Sequence, residues 1–211
     1  MQGKYSSKNL RQAPKLLRND FATAGKWDMP LVRKCEVDIA NIQLLASDHI
    51  RIIDDSENIL RTVHFFVEDI KIDRYYNDPE KYLPRLAQYP HLLTPDYSLY
   101  TDMPRALQLY NTFKNRWCGA YWQENGLSVI PTVSWSTENS FDFCFDGIEY
   151  GSVVAISTLG GLTDKELFLK GYFELEARIR PTRVLCFGRA FPEMGSEVIT
   201  VDYLETTRRQ K

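Results

Sequence analysis

The sequence contains no motif that names a reaction. It has neither a Cys-x-x-Cys pair nor a His-x-x-x-His pair, and its three histidines, His49, His64 and His91, stand far apart. The ligand spacing of a structural zinc site is therefore missing, and neither a metal nor a cofactor is assigned. The phosphate-cradling patterns GxxxxGK and GxGxxG are absent. No Ser-His-Asp or Cys-His arrangement is recommended by order or local motif. No apolar run approaches the ~20 residues needed to cross a bilayer, and the polar N-terminus lacks the apolar core of a signal peptide. A cytoplasmic protein with no membrane partner is the resulting expectation. Cysteine is scarce and scattered, at Cys35, Cys118, Cys144 and Cys186, which fits buried thiols in a reducing compartment.

What is present is a chain of 211 residues, 44% hydrophobic, 13% aromatic and 26% charged. That composition suits one folded domain with a substantial core and excludes a disordered chain. The net charge of −2 hides an asymmetry: residues 1–34 carry eight Lys or Arg against Asp20 and Asp28, a net of +6, which leaves −8 for the rest. Residues 1–34 are accordingly separated as a basic N-terminal arm from a single α/β domain over 35–211. Such an arm can bind nucleic acid through phosphate neutralisation, wrap an acidic partner, or remain a solvated terminus.

The chain is organised around Leu92 to Gly161. Its clearest element is a helix from about Pro104 to Glu124, with Thr101 and Asp102 as candidate caps, Pro104 in its first turn and Asn125-Gly126 as its stop. Ala106, Leu109, Tyr110, Phe113, Trp117, Ala120 and Tyr121 form one apolar stripe at helical spacing. Beside it run Gln108, Asn111, Asn115, Cys118 and Trp122. Asn is a poor helix former, so this line either bonds a neighbouring loop or, with Arg116, turns amides toward a ligand.

Around this helix the pattern gives strands near Ala40–Asp48, Thr62–Asp69, Arg183–Phe187 and Glu197–Tyr203. Two short helices divided by Pro79 and Pro84 are expected within 71–88, and a helix capped by Thr163 and Glu166 ends before Pro181. Alternation of this kind specifies an α/β fold with a mainly parallel sheet and covering helices. Spacing leaves open whether the sheet stays open or curls; a small or incomplete (β/α) barrel is favoured, because no pair of helices is long enough for two flat, equal layers.

In either form the site belongs at the carboxyl ends of the strands. That rule selects Asp48, Glu68, Asp69, Asp96, Ser98, Ser134, Trp135, Ser157, Thr158, Gly188, Arg189 and Asp202. Asp96, in TPDYS, suits a general base or a hydroxyl-binding carboxylate, or else a turn cap. Trp135 offers a stacking face or rim packing. Ser157, Thr158, Gly160 and Gly161 make a strand-to-helix turn able to cradle a phosphate. In FDFCFDG, an extended backbone would put Phe141, Phe143 and Phe145 on one side and Asp142, Cys144 and Asp146 on the other. The two carboxylates there could hold a cation, act as an acid and base pair, or cap turns.

The runs TPDYSLYTDMP, LYNTFKNRWCGAYWQENG, VIPTVSW, FDFCFDGI and VVAISTLG resemble a bacterial and phage family described as a domain of unknown function, met on phages and other mobile elements. The resemblance covers roughly Val63 to Phe187. It implies a mobile-element setting, hence the host cytoplasm, and a pocket involving Asp96, Asn111, Arg116, Trp135, Asp146 and Thr158. The Gly160-Gly161 pair departs from the family's more varied turn, so a phosphate role there transfers less readily.

Two functions follow as expectations. One is a pocket for a phosphate-bearing, nucleotide-like ligand, bound by Asp96, Ser98, Asn111, Asn115, Arg116, Ser134, Trp135, Ser157, Thr158 and Arg189, with Asp96 and Asp146 as catalytic candidates. The other is a noncatalytic protein that inhibits a host defence protein through its surface and basic arm. In the first case Arg116→Ala and Trp135→Ala should abolish binding at nearly unchanged melting temperature. Oligomeric state is not specified by the sequence.

Overall fold

The computed structural model describes residues 17–160, 164–195 and 197–207. Lys4, Lys8, Arg11 and Lys15 of the basic arm, Gly161, the proposed cap Thr163 and the basic end Arg208, Arg209 and Lys211 lie outside the described residues.

The architecture is α/β with parallel sheets. A short antiparallel pair, β1 (Thr23–Ala24) and β2 (Met29–Pro30), comes first. Then follow β3 (Leu44–Ala46), β4 (Thr62–His64), β5 (Leu92–Leu93) and β6 (Val129–Ile130), which pair in sequence order, every pair parallel. A second parallel sheet holds β7 (Val153–Ser157), β8 (Arg183–Phe187) and β9 (Val198–Val201). Among the described residues a parallel bridge, Thr132 to Ala155, links the two sheets. Helices α1 (Asp69–Asn77), α2 (Pro79–Leu86), α3 (Arg105–Glu124) and α4 (Lys165–Ile179) fill the crossovers.

Side-chain alternation explains the layering, since neighbouring strand residues face opposite sides. Leu44, Leu93, Ile130, Val153, Ala155, Leu185, Phe187 and Val201 share one inner apolar cluster that joins both sheets. Their neighbours Leu45, Val63, Leu92 and Val129 pack outward with residues of α1, α2 and α3. Val154, Ile156, Val184 and Cys186 pack outward with residues of α4. Strands buried on both faces read as continuous apolar runs, which is why VVAIS and RVLCF are legible as strands.

The sheet wraps this inner cluster without closing, so the expected barrel is incomplete: the described strands pair from β3 round to β9, and β9 does not pair back to β3. The gap is held by Arg61, just before β4. Its guanidinium donates to the carbonyls of Leu44, Glu205 (2.6 Å) and Thr207 (2.9 Å).

Several local expectations are corrected. The long helix begins one residue later than expected and carries no side-chain cap; Pro104 stands at its cap position, and Thr101 and Asp102 play no capping part. Asn125 and Gly126, the latter at φ +82°, end it as expected. Pro84 is accommodated inside α2, and the break between the helices falls at Asp78. The cap of α4 is Asp164, whose carboxylate accepts from the Leu167 N–H at 3.0 Å. FDFCFDG is not extended: Glu138–Asp142 is a 3-10 turn and further turns follow. Ser140 O accepts from the N–H groups of Phe143 and Cys144, which coils the backbone and buries all three rings.

The described part of the basic segment is packed against the body. Arg18 lies over the rings of Tyr76 and Trp117, 4.4 and 3.9 Å from their centres, and donates to Tyr76 O at 2.8 Å. Met29 and Val32 are core residues.

Candidate functional site

The carboxyl ends of β5, β6 and β7 open into a cavity of about 610 Å³. The loop after β5 supplies Asp96 to Asp102, the loop after β6 Val133 to Ser136, and the β7–α4 connection Ser157, Gly160, Asp164, Leu167 and Phe168.

The polar line of α3 holds the first of these loops in place. Gln108 donates to Tyr100 O and Met103 O at 3.0 and 2.8 Å, and Asn111 to Ser98 O at 2.8 Å. Asn115 reaches Pro95 O at 2.7 Å and Thr132 O at 3.2 Å. These amides satisfy irregular backbone that would otherwise be buried without partners. They account for asparagine on a helix, and they face the loop. From the other side the Asp69 carboxylate, in the first turn of α1, accepts from the Ser98 N–H and hydroxyl, the latter at 2.9 Å.

Asp96 stands at the centre of the wall. The Ser134 hydroxyl donates to its Oδ1. Burial pushes its carboxyl up to about 7; Ser134 opposes the rise, and the negative charge of Asp69 adds to it. A carboxyl so placed changes between donor and acceptor near neutral pH. Trp135 forms an adjoining side, tilted against Phe168 at 4.9 Å and Phe145 at 6.2 Å between ring centres. Gly171 of α4 makes room for it, since a Cβ there would stand 2.2 Å from the indole. Ser136 is 3% exposed, and its hydroxyl has no hydrogen-bond partner among the described residues.

The structure thus brings Asp96, Ser98, Ser134, Trp135 and Ser157 together on one cavity. Asn111 and Asn115 stand behind the wall. Arg116 is 2% exposed, and it donates to Asn115 Oδ1 at 2.6 Å, Asp146 O at 2.9 Å, Thr132 O at 3.1 Å and Cys144 O at 2.6 Å. Burial brings its guanidinium down to about 10, and its hydrogen bonds fix the coiled FDFCFDG segment. Thr158 is fully buried, with its N–H on Phe187 O at 3.1 Å. Arg189 is exposed on the loop after β8. Asp146 lies in a separate, shallow depression with Lys26, Glu138, Asp142 and Arg178; burial raises its carboxyl, against the charges of Arg116 and Arg178. Asp142 there pairs with Lys26 and Arg105.

Sequence reasoning did not single out Tyr100, Asp102, Asp164 or Phe168 as lining. Asp164 and Phe168 carried a signal, a cap and an inner-face ring at the start of the helix after β7. No Lys or Arg lines the cavity among the described residues, whereas Asp96, Asp102 and Asp164 do. An adjoining cavity of about 440 Å³ shares Asp96, Ser98, Tyr100, Ser157 and Gly160 with it. Among the described residues no group of three or more His, Cys, Asp or Glu could hold a metal ion. No helix among them is long and apolar enough to cross a membrane.

A family model described as Domain of unknown function (DUF4417) matches residues 21–204. The chain belongs to this family. The chain is 40% identical over 190 residues to the Gene 1 protein of Mycobacterium phage L5, covering 89% of this chain and 79% of that protein. It is 46% identical over 130 residues to the Gene 1 protein of Mycobacterium phage D29, covering 60% of this chain and 48% of that one. No solved structure matches. The DUF4417 match starts at residue 21, so it includes the β1–β2 pair and the core residues Met29 and Val32, not only the stretch that carried the resemblance.

Proposed function

We propose that this DUF4417 chain binds a nucleoside-like small molecule, in the phage setting of its relatives, in the cavity at the carboxyl ends of β5, β6 and β7. The observation that supports this reading is Asp96: a half-buried carboxyl on the wall of a 610 Å³ cavity, bonded by Ser134, and balanced near 7 between donor and acceptor. Cavities of this size suit ligands of a few hundred daltons. Trp135 and Phe168 offer an aromatic wall for a flat ring, and the hydroxyls of Ser98, Ser134 and Ser157 offer donors and acceptors for a sugar or a base edge.

The acidic lining favours a neutral or cationic ligand. A phosphate would meet the carboxylates of Asp96, Asp102 and Asp164 with no lining cation to offset them, and Arg116, the cation expected from the sequence, is engaged with internal acceptors. The nucleotide-like ligand is accordingly narrowed to its base and sugar.

The test is calorimetric titration of the full chain with the common ribonucleosides and, in parallel, their 5′-monophosphates. A nucleoside should bind more tightly than its monophosphate, and Asp96→Asn should weaken it at least about tenfold, the worth of one hydrogen bond to a charged or buried group. Equal or tighter binding of the monophosphate, or no binding by any nucleoside, would refute the reading.

A further inference from the structure

The adjoining cavity contains a donor that the fold leaves unused. His64, the last residue of β4, lines it and is 1% exposed. Its Nδ1 accepts from the Phe66 N–H at 3.2 Å, so the ring proton resides on Nε2. That Nε2–H has no hydrogen-bond partner among the described residues. The ring is held between neighbours that cannot serve it, with Phe187 at 5.0 Å and Phe66 at 5.7 Å between ring centres. An orphaned buried donor costs about 1–3 kcal/mol, and such groups recur where a ligand completes the bonding.

The charges around the cavity indicate what that ligand group is. Asp48, His49, Glu68, Lys71 and Asp96 line it with His64, and the charge of Arg61 also acts on the His64 ring. Lys71 is paired with both Asp48 and Glu68, at 2.8 and 2.7 Å. The one lining Lys is therefore neutralised, and carboxylates are in excess. An anion would be repelled there by the excess carboxylates, and a cation would gain nothing from a ring that can only donate. Burial draws His64 down to about 3, so the imidazole stays neutral throughout the physiological range and keeps its donor role.

We propose that this second cavity is a subsite for an uncharged hydrogen-bond acceptor, a carbonyl oxygen or a ring nitrogen, received by the Nε2–H of His64. The inference rests on the ligand-binding reading above in one respect: the cavities share Asp96, Ser98, Tyr100, Ser157 and Gly160, so one elongated ligand reaches both. It adds a requirement for that ligand, a neutral acceptor on the side of the molecule facing β4.

The test is long-range proton–nitrogen NMR on the full chain with labelled histidine, where three imidazoles give separable signals and His64→Phe identifies the one of interest. The probes are N-methylacetamide, as a neutral carbonyl, and inorganic phosphate. N-methylacetamide should shift the His64 Nε2 signals saturably while phosphate at equal concentration leaves them in place, and the signals of His91, remote from this cavity, should not move with either probe. Movement with phosphate, or with neither probe, would overturn the inference. The indole signal of Trp135 during a nucleoside titration reads the first cavity separately. Its response with a silent His64 would leave the nucleoside reading standing and remove the subsite.

Discussion

Replacing Asp96 by Asn isolates the energetic cost of keeping a carboxylate in the cavity wall. In the unfolded chain this group titrates at its ordinary 3.8, and in the folded chain at about 7. Between those values the native state holds a proton that the unfolded state has released. Stability therefore falls as pH rises from about 4 to about 7 and is flat above. The full displacement corresponds to roughly 4 kcal/mol; the partly open position of the residue reduces that to roughly 2–4 kcal/mol. Asn fills the same space, accepts from Ser134 in the same way and carries no proton to lose. The assay is urea denaturation of both proteins at intervals from about pH 4 to about pH 8. The Asn protein should equal the parent near pH 4 and exceed it by roughly 2–4 kcal/mol above pH 7. His64 titrates in the opposite sense in both proteins and cancels in the difference. A difference that does not change with pH would refute the placement of a buried, titrating carboxyl at this position.

Other substitutions separate holding from binding. Arg116→Met should lower stability by about 3–5 kcal/mol in thermal or urea melts, because the carbonyls of Thr132, Cys144 and Asp146 lose their donor; an unchanged melting temperature would return Arg116 to the ligand. Gly171→Ala should displace the Trp135 indole, which a Cβ would meet at 2.2 Å, costing about 1–3 kcal/mol and shifting the indole signal. Removing residues 1–26 deletes the Arg18 cation from between Tyr76 and Trp117, the Phe21 ring beside Trp117 and strand β1, and should lower stability by more than the about 1–2 kcal/mol of a desolvated cation–π contact alone; an unaltered melt would show the segment to be dispensable. Acid should destabilise the fold through His64, whose folded value near 3 lies below its unfolded 6.5, so its contribution is complete above pH 6.5 and is lost as pH falls toward 3. His64→Phe should flatten that limb of the stability profile.

Strands buried on both faces and the stop of a helix are local properties of sequence. VVAIS, RVLCF and the helix ending at Asn125-Gly126 were therefore legible, and so was the gathering of Asp96, Ser134, Trp135 and Ser157 at one end of the sheet. What could not be read is the direction in which long polar side chains point. Arg116 lies on the turn of α3 that packs over FDFCFDG, and only the coiling of that segment turns Cys144 O and Asp146 O toward the guanidinium. The same coiling removed the period-two alternation on which an extended Phe-Asp face depended. The β1–β2 pair was missed because two-residue strands leave almost no pattern, and its turn depends on Gly25 at φ +72° and Asp28 at φ +50°. His64 ends a strand whose start at Thr62 matched the expectation and whose expected end at Asp69 falls instead in the helix Asp69–Asn77. Its isolation is a property of its neighbours.

Among the described residues the bridge of Thr132 to Ala155 links the two sheets, and across the opposite gap the Arg61 side chain ties Leu44 O to Glu205 O beside the shared apolar cluster. The body is in effect two leaves with a spine and a clasp around a shared apolar filling, and the first cavity lies over the spine, with Asp96, Ser134 and Trp135 on one leaf and Ser157 on the other. A molecule bound there, as proposed, would bond across the join. It would stabilise both leaves together, and the melting temperature would rise with its concentration.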